Sequence, residues 1–99
     1  MMIIRCALGP RDQLTGQRQI TQTGQRIVPL SWSAGRRIID VGNGQYIEAD
    51  LMFGFIGKIQ RGDVVYVEGP NVESGHYTVV NYKSSMSGAT VAMLTAGVT

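Results

Sequence analysis

Short segments in which every second residue is apolar follow one another along most of this 99-residue chain. The segment YIEADLMF, residues 46–53, shows the pattern most clearly, with apolar side chains at Ile47, Ala49, Leu51 and Phe53. Side chains of a β-strand alternate between two faces, so this segment predicts a strand with one buried face and one face in solvent. Several short strands in a chain of this size predict an all-β fold, a small antiparallel β-barrel or sandwich.

The other segments extend this prediction to both ends of the chain. MIIRCAL near the start predicts a strand that ends at Gly9-Pro10, and VVYVEG, HYTVVNY and ATVAMLT predict a C-terminal meander with turns at PNVESG and KSSMSG. Alternation assigns one set of these side chains to the core. The expected core residues are Ile4, Cys6, Leu8, Ile47, Leu51, Val65, Val67, Val79, Val91 and Met93.

Residues 31–45 allow two interpretations. Ser31 or Ser33 is a suitable helix cap, and Trp32 and the Ile38-Ile39 pair lie near helical spacing before Gly42 and Gly44. The alternative is a strand over residues 36–41 that turns through Gly-Asn-Gly into the next strand, because Asn-Gly is a strong hairpin signal. Since Ala-Gly-Arg-Arg is poor in strand formers, one short helix is favoured here.

A polar stretch at about residues 12–26 contains few large apolar side chains and repeats Thr-Gly-Gln-Arg at 15–18 and 23–26. A long hairpin arm that protrudes from a single domain of residues 1–99 accounts for it most simply. Such an arm buries little of itself, so we expect it to be mobile or to pack on a partner.

Composition restricts the classes of function. One cysteine, Cys6, excludes an internal disulfide and gives no pair for a metal. The sequence shows neither a membrane-length apolar run nor a secretory signal, so we expect a cytosolic protein that does not contact a membrane.

Charge is distributed unevenly: residues 1–37 carry a net charge of +5 and residues 38–99 a net charge of −3. This division fits contact with a polyanion, or a surface on which one subunit's basic face meets its neighbour's acidic face. Scattered solubilising charges explain it equally well.

Candidates for chemistry are few. His76 is the single histidine, and Glu48 and Asp50 share a strand face that solvent exposure explains. No nucleophile with its base, metal-ligand set or phosphate-binding glycine loop is present, so neither an enzyme nor a cofactor is expected. The tripeptide Arg61-Gly62-Asp63 resembles an adhesion motif, but the strand formers that follow it predict a turn.

The order of segments resembles the head-completion or stopper proteins of tailed bacteriophages. The resemblance is carried by GPRDQLTGQ after the first strand, IVPLS, QYIEADLMF, IQRGDVVYVEG, YTVVNY and ATVAML, and it covers most of the chain. It implies a small β-barrel that forms a homo-oligomeric ring in the virion neck, after assembly in the host cytoplasm. The ring would bind a portal or adaptor ring on one side and a tail terminator or other tail proteins on the other.

The resemblance also suggests roles for residues. Arg36 and Arg37 are the candidates for a loop that faces the channel and contacts packaged DNA non-specifically. The candidates for assembly contacts along the arm are Gln13, Thr15, Arg18, Gln22 and Arg26. Glycines interrupt residues 32–44, where the family has a longer helix and loop. The alternative function is a small nucleic-acid-binding protein with an OB-like barrel, whose arginine and aromatic side chains would form a stacking groove.

Overall fold

Seven β-strands make up most of the chain. The computed structural model describes residues 1–98, within which no helix occurs. The strands are β1 (Met2–Arg11), β2 (Arg18–Ile27), β3 (Ser31–Gly42), β4 (Gln45–Ile56), β5 (Val64–Glu68), β6 (Gly75–Ser84) and β7 (Ala89–Ala96). The all-β prediction is therefore confirmed.

All seven strands belong to one sheet in the order β2-β1-β5-β6-β7-β4-β3, and every neighbouring pair is antiparallel. The sheet does not close, because β2 and β3 lie at its two ends and do not pair with each other. The chain passes from one end strand to the other through residues 28–30, where the Leu30 amide donates to the Gly54 carbonyl at 2.7 Å.

The sheet curves around one hydrophobic core, to which both of its ends contribute. Ile27 of β2 belongs to the core, and Ala34 of β3 packs against it. The other core residues are Ile3, Leu51, Phe53, Phe55, Ile59, Val65, Val67, Tyr77, Val79, Ala92 and Leu94. Since the first and last strands of the sheet reach the same core, the fold is an open barrel.

The predicted core residues are only partly correct. Ile4, Leu51, Val65, Val67, Val79 and Met93 are buried, whereas Cys6, Leu8 and Ile47 are half-buried and Val91 is exposed. Both faces of β1 and β7 carry apolar residues, so alternation alone does not show which face is inside. In β7 the fully buried residues are Thr90, Ala92 and Leu94, which alternate along one face.

The helix favoured for residues 31–45 is wrong, and the hairpin alternative is correct. Along β3, Ser31 and Ala34 pair with Gly54 and Leu51 of β4, so this segment obtains its backbone hydrogen bonds from a neighbouring strand. The β3–β4 turn has positive φ at Asn43 (54°) and Gly44 (72°), as a two-residue hairpin turn of the favoured kind requires. Pairing with β4 outweighs the weak strand propensity of Ala-Gly-Arg-Arg.

The tripeptide Arg61-Gly62-Asp63 forms the predicted turn before β5. Gly62 has a φ of 88°, and the Asp63 carboxylate accepts a hydrogen bond from the Gln60 amide at 2.9 Å. The backbone of the turn also bonds to Val79 of β6 through both Gly62 and Asp63. These contacts give the glycine and the aspartate of the tripeptide structural roles in the turn.

Candidate assembly surface

The hairpin formed by β1 and β2 extends beyond the rest of the sheet. β1 pairs with β5 only over residues 2–6, whereas its pairing with β2 continues to the partners Arg11 and Arg18. Residues 7–22 therefore form a two-stranded ribbon and its turn, which we call the outer hairpin. An isolated two-stranded hairpin is marginally stable in water, so this part gains little stability from its own chain.

β2 is exposed over nearly its whole length. Only Ile27 is buried and only Ile20 is half-buried among its ten residues. The unpaired backbone along its outer edge can accept a further strand. A strand that is exposed on both faces and unpaired along one edge is suited to contact with another molecule.

The five predicted arm residues are all exposed, but they do not form one cluster. Gln13 and Thr15 lie in the turn, Arg18 lies opposite Arg11 at the start of β2, and Gln22 and Arg26 follow along the strand. They are distributed along the length of β2 and its turn, so they define an elongated surface.

The repeated Thr-Gly-Gln-Arg segments form the same local structure twice. In each copy the threonine hydroxyl accepts a 3.3 Å hydrogen bond from the amide two residues later, at Gln17 and Gln25. The intervening Gly16 and Gly24 have φ values of 72° and 82°. The first copy completes the turn, and the second lies at the register shift of β2 opposite residues 4–6. The repeat therefore encodes one turn and one β-bulge.

Exposed apolar side chains surround a groove where the two ends of the sheet approach each other. Val28, Leu30 and Ile56 are 76%, 67% and 65% exposed, and they line the same cavity of about 320 Å³. We call this cavity the seam groove; its other lining residues are Arg5, Arg26, Ile27 and Phe55. The sequence analysis did not predict this groove, although the run Ile-Val-Pro-Leu contains three of the apolar residues that line it.

Arg5 lies partly over the aromatic ring of Phe55, with 5.9 Å from its guanidinium carbon to the ring centroid. Its Nη2 atom donates to the Lys58 carbonyl. These contacts hold one positive charge at the wall of the seam groove. Arg26, the other arginine of the groove, is exposed and makes no salt bridge within residues 1–98.

The two predicted DNA-facing arginines lie in β3 but line different cavities. The side chain of Arg36 forms a 3.0 Å ion pair with Glu48, and it lines a cavity of about 390 Å³ together with Asp50, Glu73 and Tyr77. Arg37 lines a separate cavity of about 230 Å³ beside Trp32. Both cavities contain an aromatic residue, but only the cavity of Arg37 contains no acidic residue.

The titratable groups outside these surfaces have structural explanations. Tyr77 is buried and donates a 2.6 Å hydrogen bond to the Glu73 carbonyl. Burial, and then the negative charges of Glu73 and Asp50, raise the pKa of the Tyr77 hydroxyl. Burial also raises the pKa of the Cys6 thiol, which makes it a poor nucleophile.

His76 lies edge-on to Tyr66, with ring centroids 5.6 Å apart. In the part of the chain that the structure describes, no three His, Cys, Asp or Glu side chains are grouped as a metal site. The same residues contain no helix that is long and apolar enough to cross a membrane.

No protein-family model, curated protein or solved structure matches this chain.

Proposed function

We propose that this chain is a structural subunit that assembles into a closed ring and acts as a head-to-tail connector of a tailed phage. In this role the ring closes the DNA-filled head and provides the surface on which the tail docks. The observation that carries the proposal is the outer hairpin, a ribbon of two strands that extends beyond the core and contains no fully buried residue. Only Leu8, Gly9 and Ile20 in it are half-buried. The phage context comes from the order of segments in the sequence.

The outer hairpin favours an assembly role because its own chain gives it little support. Ordering each residue of a strand costs about 1–2 kcal/mol of backbone entropy, which buried apolar surface normally offsets. In β2 only Ile27 is fully buried, so contact with another subunit would supply the missing burial. A second strand or a flat surface along the free edge would also satisfy its backbone groups.

The two ends of the sheet differ, and this favours a ring over a symmetric dimer. Both end strands are largely exposed, but β2 is mostly polar, whereas β3 carries Trp32, the Arg36–Glu48 ion pair and several apolar residues. A contact between two different surfaces is head-to-tail, and such contacts form rings when the rotation closes.

Contact with packaged DNA is a further part of the proposal, and it now rests mainly on Arg37. Arg36 already has a carboxylate partner in Glu48, whereas no acidic residue lines the cavity of Arg37. Phosphate contacts by arginine are non-specific and weaken with added salt. Replacement of both arginines by serine should therefore increase genome leakage from tailless heads without preventing ring formation.

The decisive experiment is a mass measurement on the protein in solution and on purified heads. We expect a closed oligomer in at least one of these two states. A shortened variant, in which Asn-Gly replaces residues 9–19, retains the Leu8–Ile20 pair and should fold but no longer assemble.

The matched control is Met86→Ser, which changes an exposed residue in the turn between β6 and β7 and should assemble normally. A single-chain mass in solution together with no binding to heads would contradict the connector function. Normal assembly of the shortened variant would show that the outer hairpin is not an assembly element.

Nucleic-acid binding as the main function is favoured by one observation, the position of Trp32 beside Arg37 at a cavity of about 230 Å³. An aromatic ring next to an arginine suits a stacked base. Trp32 is the single tryptophan of the chain, so its fluorescence reports this site directly. Quenching by an oligonucleotide, lost in Arg37→Ser and at raised salt, would support this function in place of the connector.

A further inference from the structure

We infer that the turn of the outer hairpin inserts into the seam groove of a neighbouring copy of this chain, with Leu14 in the groove and Asp12 beside its arginines. This inference rests on the proposed ring. It assigns the two surfaces that meet and the residues that determine their fit.

The turn presents one apolar side chain and one negative charge. Leu14 is 96% exposed, which leaves nearly the whole side chain available for a contact. The Asp12 Oδ1 atom accepts a 2.8 Å hydrogen bond from the Leu14 amide, so the two residues are held together. A carboxylate has acceptor sites on both oxygens, and Asp12 therefore still accepts bonds from an arginine.

Asp12 is also the only acidic residue among residues 1–37. The backbone of the turn is fixed by hydrogen bonds of 2.8 Å from the Asp12 amide to the Gln17 carbonyl and from the Gly16 amide to the Asp12 carbonyl. A turn with a defined shape loses less entropy on binding than a flexible loop.

The seam groove has the complementary properties. Its exposed apolar residues, Val28, Leu30 and Ile56, surround a volume of about 320 Å³, which is large enough for a leucine side chain. Arg5 and Arg26 add two positive charges at the same cavity. The groove therefore matches an apolar side chain flanked by a carboxylate, which is the chemistry of the turn.

The turn does not fill the groove of its own chain. Arg18 and Arg26 lie eight positions apart in β2, about 26 Å along an extended strand, and Leu14 does not line the groove. The contact must therefore join two copies. In a ring, each subunit uses its turn on one neighbour and its groove on the other. A two-fold dimer that exchanges its turns would make the same contact twice, and its mass of two chains distinguishes it from the ring of the proposed function.

Disulfide cross-linking between two variants tests the contact directly, since a disulfide requires Cα atoms within about 7 Å. In a Cys6→Ser background, a chain with Leu14→Cys is mixed with a chain with Leu30→Cys and oxidised. We expect a cross-linked pair that contains one chain of each kind. Met86→Cys, also fully exposed in a turn, is the matched control and should cross-link poorly with Leu30→Cys.

Cross-linking of Met86→Cys to Leu30→Cys as efficient as that of Leu14→Cys would overturn the inference. A predominance of disulfides between two Leu14→Cys chains would also overturn the inference, because it would show that the turns of two subunits contact each other. If either result is obtained while mass measurement still shows rings, the proposed function holds and only the contact between turn and groove is wrong.

Charge exchange provides the second test. Asp12→Arg and Arg26→Asp each place like charges together, and each variant alone should associate about tenfold or more weakly than the original chain. An equal mixture should recover association, because the altered turn of one variant matches the altered groove of the other.

If both variants alone form rings as well as the original chain, Asp12 and Arg26 do not meet. If the unaltered chain neither forms rings nor binds heads, the proposed function is wrong, and the contact inferred from it is wrong as well.

Discussion

The barrel and the outer hairpin are built from strands of similar length but differ in what supports them. In β4, side chains such as Leu51 and Phe53 alternate with exposed or half-buried residues and fill the core. In β2, one of ten side chains is buried, and this residue, Ile27, lies outside the outer hairpin. A strand needs hydrogen bonds to a neighbour to form, but it needs buried apolar surface to be stable. The barrel therefore provides most of the stability of the fold, and the outer hairpin contributes little to it.

Hydrogen exchange should reveal the largest difference between the two regions. In the single-chain state, amides of residues 18–22 should exchange through local opening, whereas those of Val79 and Leu94 should require global unfolding. The difference in protection should approach the whole stability of the domain, about 5 kcal/mol or more. Amide exchange measured by NMR or mass spectrometry checks this. Equal protection in both regions would contradict the comparison, and higher protection of residues 18–22 in the assembled ring would sharpen it.

Two leucine truncations should differ by several kcal/mol. Leu51→Ala removes a side chain that is fully buried in the core, and it should lower the free energy of unfolding by about 2–5 kcal/mol. Leu14→Ala removes one that is 96% exposed, so it should change the stability by no more than about 0.5 kcal/mol. Denaturant unfolding of the single chain measures both. Similar losses from the two variants would mean that the outer hairpin is part of the cooperative core.

Two glycines with positive φ allow the same comparison for the backbone. A Cβ atom at Gly57, with a φ of 147°, would lie 2.9 Å from the Phe55 ring, and Gly57→Ala should cost about 2–3 kcal/mol. A Cβ atom at Gly16 of the outer hairpin, with a φ of 72°, would meet no heavy atom within 4 Å, and Gly16→Ala should cost about 1 kcal/mol. Thermal unfolding of the two variants provides the test, and a greater loss at Gly16 would contradict it.

The decrease in the free energy of unfolding at alkaline pH should depend on Tyr77 in the barrel. Burial and nearby carboxylates raise the pKa of its hydroxyl in the folded state, so the unfolded chain loses this proton first. The difference between the two pKa values of Tyr77 stabilises the folded state fully at pH values below its pKa in the unfolded chain, about 10. This contribution is lost as the pH rises through the pKa of Tyr77 in the folded state. Tyr77→Phe should remove this part of the pH dependence and cost about 1 kcal/mol at neutral pH through the lost hydrogen bond.

Tyr46→Phe is the control for this change, because Tyr46 is 64% exposed near the turn between β3 and β4. Its stability should follow that of the original chain across the same pH range. Urea unfolding at a series of pH values from 8 upward makes the measurement. An unchanged decline in the Tyr77→Phe variant would show that another group causes it.

Several predictions from the sequence were correct because they depend on neighbouring residues. Alternation in YIEADLMF identified β4 and its buried Leu51, and the glycine and aspartate of residues 61–63 formed the predicted turn. In each case, side-chain spacing or turn chemistry determines the result within about ten residues.

The errors arose where residues far apart in sequence decide the structure. Residues 31–42 form a strand because β4 is available to pair with them. The seam groove was missed because it combines residues of β1, β2, β4 and the segment between β2 and β3. Nothing in the local pattern near Val28 indicates that Ile56 will be beside it.

The sequence by itself determined the fold class, most strand positions and the polar character of the segment that became the outer hairpin. These properties follow from alternation and turn residues, which act over short distances. The tertiary structure alone decided which strands lie at the ends of the sheet, which face of β7 is inside and which residues form the seam groove. Those choices depend on pairs such as Ile3 with Val67 and Leu51 with Leu94, whose energies arise only when distant segments meet around a shared core.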